Sequence, residues 1–79
     1  MPLDPARTVA ELRELRELTG DEHGAQRVCW TDTWASARAW LRTKLADLPV
    51  AVETDEAGNL WATLAGASER SVLIGGHLD

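Results

Sequence analysis

Hydrophobic residues in this chain recur at helical spacing up to Pro49 and at strand spacing after it, and that change of period most constrains the fold. On the N-terminal side, Val9, Leu12, Leu15 and Leu18 form one apolar stripe, and Trp34, Ala37, Leu41, Leu45 and Leu48 form a second. Thr8 and Glu11 fit a capping box at the start of the first stripe, and Gly20 fits a left-handed stop at its end. Arg13 and Glu17 are spaced as an i,i+4 pair on the solvated face. Thr31 or Asp32 caps the second helix, and Pro49 ends it. Residues 20–31 between the helices read as a loop that carries His23, a partly exposed loop histidine.

After Pro49, the segment 50–52 begins a short strand, 55–58 is a turn with glycine late in it, and 59–64 is the returning strand. The two form a hairpin with a connection of four to five residues. A polar turn over 66–70 leads into Ser71-Val72-Leu73-Ile74, a run that suits a strand buried on both faces of a sheet. The expected fold class is therefore α/β: two helices, then a hairpin and a buried strand of a mixed sheet, as part of a larger domain. A natural domain seldom stops after such a strand, so residues 1–79 read as the incomplete N-terminal portion of that domain, with no second domain.

Composition excludes several functions. Thirteen acidic residues against eight basic ones, with the basic residues scattered, leave no nucleic-acid footprint. The N-terminus has no apolar signal region, and no apolar run is long enough to span a bilayer, so the expected location is cytoplasmic. A single cysteine, Cys29, excludes an internal disulfide and reads as a buried thiol in a turn. Four tryptophans stand without a single Phe or Tyr; Trp34 and Trp40 read as core or subunit-contact residues.

The one constellation with chemistry is Gly75-Gly76-His77-Leu78-Asp79. In open α/β sheets, ligands bind beyond the carboxyl ends of strands, where His77 would lie. Alternate residues of an extended segment face one side, so His77 and Asp79 would project together. A ligating histidine usually donates its other ring N–H to a carboxylate. His77 is thus the candidate metal ligand and Asp79 the candidate catalytic carboxylate that orients it, with a direct Asp79–metal bond as the alternative. Glu53, Asp55 and Glu56 are acidic but fall in or beside a turn, and are not read as ligands.

Four stretches carry a resemblance to the M20 metallopeptidase-like family, in the family's order. Leu15–Gly20 with Asp21–Arg27 resembles its early Leu/Gly-Gly/Arg segment, and Asp32–Leu41 its Asp-Ala-Arg-Trp-Leu helix. Asp55–Leu60 matches its Asp-x-x-Gly-Asn-Leu turn, and Val72–Asp79 resembles its Gly-Ser-His-Leu-Asp segment. The likeness is to the amidohydrolase branch of N-carbamoyl-L-amino-acid hydrolases, allantoate amidohydrolases and β-ureidopropionases. Two positions depart from the pattern: Gly76 replaces the family serine, and Ala25 replaces its second loop glycine.

The resemblance implies a homodimeric parent enzyme with two divalent ions, zinc, manganese or cobalt, sharing a bridging water. That water would attack the carbamoyl or amide carbon of a small ureido, carbamoyl or amide substrate. His77 maps onto one metal ligand and Asp79 onto the supporting acid; the remaining ligands and the general base fall beyond residue 79. The chain alone is then expected to be inactive and poorly stable. Gly76 leaves a peptidase or aminoacylase parent open, and two readings without catalysis stand beside it: a small α/β module that binds a partner through a sheet edge and its Trp side chains, and a purely structural domain.

Overall fold

The computed structural model describes residues 2–79. It is a small mixed α/β structure in the order α1 (Pro5–Thr19), β1 (Gly20–Asp21), β2 (Gly24–Ala25), α2 (Asp32–Leu45), β3 (Ala51–Thr54) and β4 (Leu60–Thr63). The strands form two separate two-stranded antiparallel ladders, β1 with β2 and β3 with β4. The described residues divide into two compact units, one running up to Trp40 and including Leu78–Asp79, the other Leu41–His77. No helix among the described residues is long and apolar enough to cross a membrane.

In the first unit, α1 starts a turn earlier than the capping box predicts. Asp4 is the N-cap: its carboxylate accepts from the Arg7 N–H at 3.1 Å, and Pro5 occupies the first helical turn. Proline has no N–H to leave unsatisfied there, and its fixed φ already suits a helix. Thr8 consequently lies inside the helix, where its N–H donates to the Asp4 carbonyl at 3.2 Å. Glu11 pairs with Arg7 at 3.0 Å instead of closing a box with Thr8. The ion pair recorded for Glu17 is with Arg16 at 3.9 Å, in place of the expected Arg13.

The buried face of α1 also departs from the expected stripe. Leu15 and Thr19 are each 3% exposed, whereas Val9, Leu12 and Leu18 are 47%, 58% and 53% exposed. A step of three residues turns a helix about 60° short of a full revolution, so four such residues spread round half the circumference. Only an i,i+4 row stays on one face, and here that row is Glu11, Leu15 and Thr19.

Gly20 ends α1 in extended rather than left-handed backbone, φ −112° and ψ 172°, and donates its N–H to the Arg16 carbonyl. The need for glycine is steric: a Cβ would lie 2.9 Å from the Arg16 carbonyl oxygen and 3.1 Å from that of Gly24. This close approach admits the β1–β2 ladder, with Gly20 opposite Ala25 and Asp21 opposite Gly24. The loop expected over 20–31 therefore contains a miniature hairpin. Asp21 builds its turn by accepting from the His23 N–H at 2.8 Å and from the Gln26 side chain at 3.2 Å.

The second helix is as expected at its start. The Thr31 hydroxyl accepts from the Trp34 N–H at 3.3 Å and donates to the Val28 carbonyl at 2.6 Å. Asp32 in the first turn and Arg42 and Lys44 in the last complement the helix dipole. Ala37 is fully buried, and Trp34, Leu41 and Leu45 are half-buried, so the expected stripe marks the covered face; α2 ends at Leu45, a turn before the expected stop at Pro49, and Leu48 lies beyond it. Trp40 donates its indole N–H to Glu14 at 2.8 Å.

In the second unit, β3 and β4 pair in the register Ala51–Thr63, Val52–Ala62, Glu53–Trp61 and Thr54–Leu60, joined through residues 55–59. The expected hairpin and its connection length are both present. The buried strand expected at Ser71–Ile74 is not. Residues 64–77 contain no helix or strand, and Val72, Leu73 and Ile74 are 89%, 75% and 90% exposed. A strand buried on both faces needs neighbours for its N–H and C=O groups and cover for its side chains. The described residues provide neither, so the mixed sheet is absent among them. Leu15 and Ala37 are the only buried apolar residues described.

Candidate functional site

His77 and Asp79 are both exposed, and His77 does not follow a strand as the sequence reading required. Gly75 and Gly76 face open space: a Cβ on either would meet nothing within 4 Å. Their place in the chain therefore has no steric demand for glycine in this structure. His77 and Asp79 are donors of the right chemistry for a divalent ion. A zinc site, however, takes at least three protein ligands, and no group of three His, Cys, Asp or Glu side chains converges among the described residues. These residues do not form a complete ion site by themselves.

The end that carries Asp79 is held by a residue outside the terminal motif. Gln26 donates its N–H to the Thr19 carbonyl at 3.0 Å, which draws the chain after β2 back against the end of α1. Arg27 then reaches two acceptors with one planar guanidinium. Its Nη1 donates to Thr19 Oγ1 at 3.0 Å, and its Nε donates to the Leu78 carbonyl. Thr19 Oγ1 in turn donates to the Leu15 carbonyl at 2.7 Å. Sequence reasoning placed Arg27 only at the end of the first motif stretch. No local pattern could mark a partner 51 residues away.

Asp55 organises the β3–β4 turn. Oδ1 accepts from the N–H groups of Ala57 and Asn59, at 3.0 and 2.9 Å. Oδ2 accepts from the Asn59 side chain at 3.1 Å and the Trp61 indole at 2.9 Å. Gly58 has φ 89°, the left-handed conformation that glycine adopts without steric cost. Asp55 is thus a turn residue, as the sequence predicts. The Trp61 indole, then the Asn59 side chain and backbone, hold its carboxyl down at about 2.

That shift sets a pH dependence. The folded value lies below the unfolded one, about 3.9, so the stabilisation is complete above that pH and fades as pH falls towards 2. A carboxyl 13C titration of Asp55 is expected to give a midpoint near 2, with loss of the Glu53–Trp61 cross-strand signals in the same acid window. A midpoint at the ordinary aspartate value contradicts the turn geometry.

The aromatic residues make a second, smaller feature. Trp30 has φ 71° and is 74% exposed, with its ring 4.8 Å from that of Trp34, and Arg38 lies 4.9 Å over Trp34 on α2. A bulky side chain in left-handed backbone costs about 1–3 kcal/mol, and the ring contact offsets part of it. Cys29 lies in the adjoining turn but is half-buried, less covered than the sequence reading expected. His23 lies in the β1–β2 turn and is more exposed than the sequence reading expected, with Nε2 3.3 Å from Glu22.

No protein-family description, curated protein or solved structure matches this chain.

Proposed function

We propose that this chain is the N-terminal portion of the metal-binding domain of a metal-dependent amidohydrolase. The parent enzyme would cleave a linear C–N bond in an N-carbamoyl amino acid or another ureido substrate. His77 would contribute one metal ligand and Asp79 the carboxylate that orients it. The other ligands and the general base would come from elsewhere in the parent.

The observation that carries this reading is the occurrence of four motif stretches in the family's order, from the Leu15–Arg27 segment to Val72–Asp79. Two structural facts support it. The Asp55–Asn59 stretch is a closed hydrogen-bonded turn, which gives its aspartate, glycine and asparagine a joint reason to occur together. The first and last stretches are joined by the bond from Arg27 to the Leu78 carbonyl. The exposed run Val72–Ile74 is also suited to pairing within a larger sheet.

Gly76 in place of serine favours, as a second reading, a peptidase or aminoacylase parent of the same family. The exposed Trp30 beside Trp34 is what would favour a non-catalytic binding module. The coding sequence that follows Asp79 separates these readings. An aspartate shortly past His77 and a Glu-Glu pair further on support the hydrolase. A stop codon there, with a folded monomeric product, contradicts it. The 79-residue chain alone is expected to show no metal-dependent hydrolysis, and turnover by the purified chain would contradict the assignment.

A further inference from the structure

We infer that Arg27 is a positioning residue, whose guanidinium fixes the backbone carrying Asp79 against the C-terminal end of α1. The importance of Asp79 rests on the amidohydrolase reading above; the tie itself rests on geometry alone. Residues 61–77 are exposed throughout, and burial returns at Leu78, the residue whose carbonyl Arg27 binds. The second acceptor, Thr19 Oγ1, is buried and already oriented by its own bond to the Leu15 carbonyl. Nε and Nη1 are rigidly coplanar, so engaging Thr19 also fixes the direction in which Nε points. The guanidinium thereby carries the orientation of α1's last turn to the Leu78 backbone. Charge-assisted bonds of this kind are roughly twice as strong as neutral ones.

A lysine keeps the charge but offers a single flexible ammonium in place of the fork. The test is therefore backbone 15N relaxation of the whole chain and of its Arg27→Lys variant, without metal or substrate. In the unaltered chain, Leu78 and Asp79 are expected to have order parameters of roughly 0.8, close to α1; in Arg27→Lys they fall below about 0.6, while the signals of residues 5–15 stay in place. Equal order at Leu78 and Asp79 in both proteins, or equal disorder, overturns the inference. A scalar coupling across the hydrogen bond from Arg27 Nε to the Leu78 carbonyl requires no substitution, so it tests the tie even where the variant fails to fold; its absence overturns the tie. Thr19→Val, which removes only the Nη1 acceptor, is expected to give intermediate order. Because the readout involves neither metal nor hydrolysis, failure here leaves the amidohydrolase reading standing, and failure of that reading leaves the tie in place.

Discussion

Replacing Asp55 by alanine is expected to unpair β3 from β4. The carboxylate accepts four hydrogen bonds, from two backbone N–H groups, the Asn59 amide and the Trp61 indole. Burial adds little to this hairpin: among its ladder residues only Val52 and Leu60 are even half-buried, and isolated two-stranded hairpins are marginal in water. The turn must therefore supply the register that packing does not. Asp55→Ala should abolish the cross-strand signals of Ala51–Thr63 and Glu53–Trp61 and shift the Trp61 indole N–H resonance to its free position. Asp55→Asn keeps one acceptor oxygen but loses the charge, and should give a partial loss. An alanine variant that retains the full ladder would show that strand pairing, and not the Asp55 carboxylate, holds the turn.

The second large effect is expected at Leu15. Removing a buried leucine side chain costs about 2–5 kcal/mol. The described residues bury only Leu15 and Ala37 as apolar core, and a domain this small has little stability in reserve. Leu15→Ala should therefore melt α1, seen as loss of helical circular dichroism and of the Trp40–Glu14 indole contact. Leu12→Ala on the neighbouring exposed face is the control and should leave α1 folded, because Leu12 is 58% exposed. Equal effects of the two substitutions would contradict the placement of the buried face.

The contrast between Leu12 and Leu15 shows where the sequence is legible. Periodicity located both helices, because an apolar stripe appears wherever a helix is covered on one side. It misplaced the covered face of α1, because residues spaced by three drift round the axis while Leu15 and Thr19 hold one row. The β3–β4 hairpin was readable from Asp55-Glu56-Ala57-Gly58-Asn59, whose conformation is set by local hydrogen bonds. The β1–β2 ladder was missed because two-residue strands carry no period, and its determinants are a close approach at Gly20 and side-chain bonds from Asp21.

The site divides in the same way. His77 and Asp79 were nominated by residue type and spacing alone, and both are exposed. The strand expected before them was inferred from the apolar run Val72–Ile74, which specifies a strand only where neighbours pair with it. Arg27 was invisible as a site residue because its role depends on a carbonyl distant in sequence, and a carbonyl leaves no trace in residue identity.

The central proposal is that His77 serves as a metal ligand in a dinuclear amidohydrolase. Its most direct test is the metal content and N-carbamoyl amino acid hydrolysis of the complete translated product carrying this sequence, compared with its His77→Ala variant. The account predicts about two divalent ions per chain in the unaltered protein, with at least one lost together with turnover in the variant. Metal content and hydrolysis unchanged by His77→Ala would contradict it.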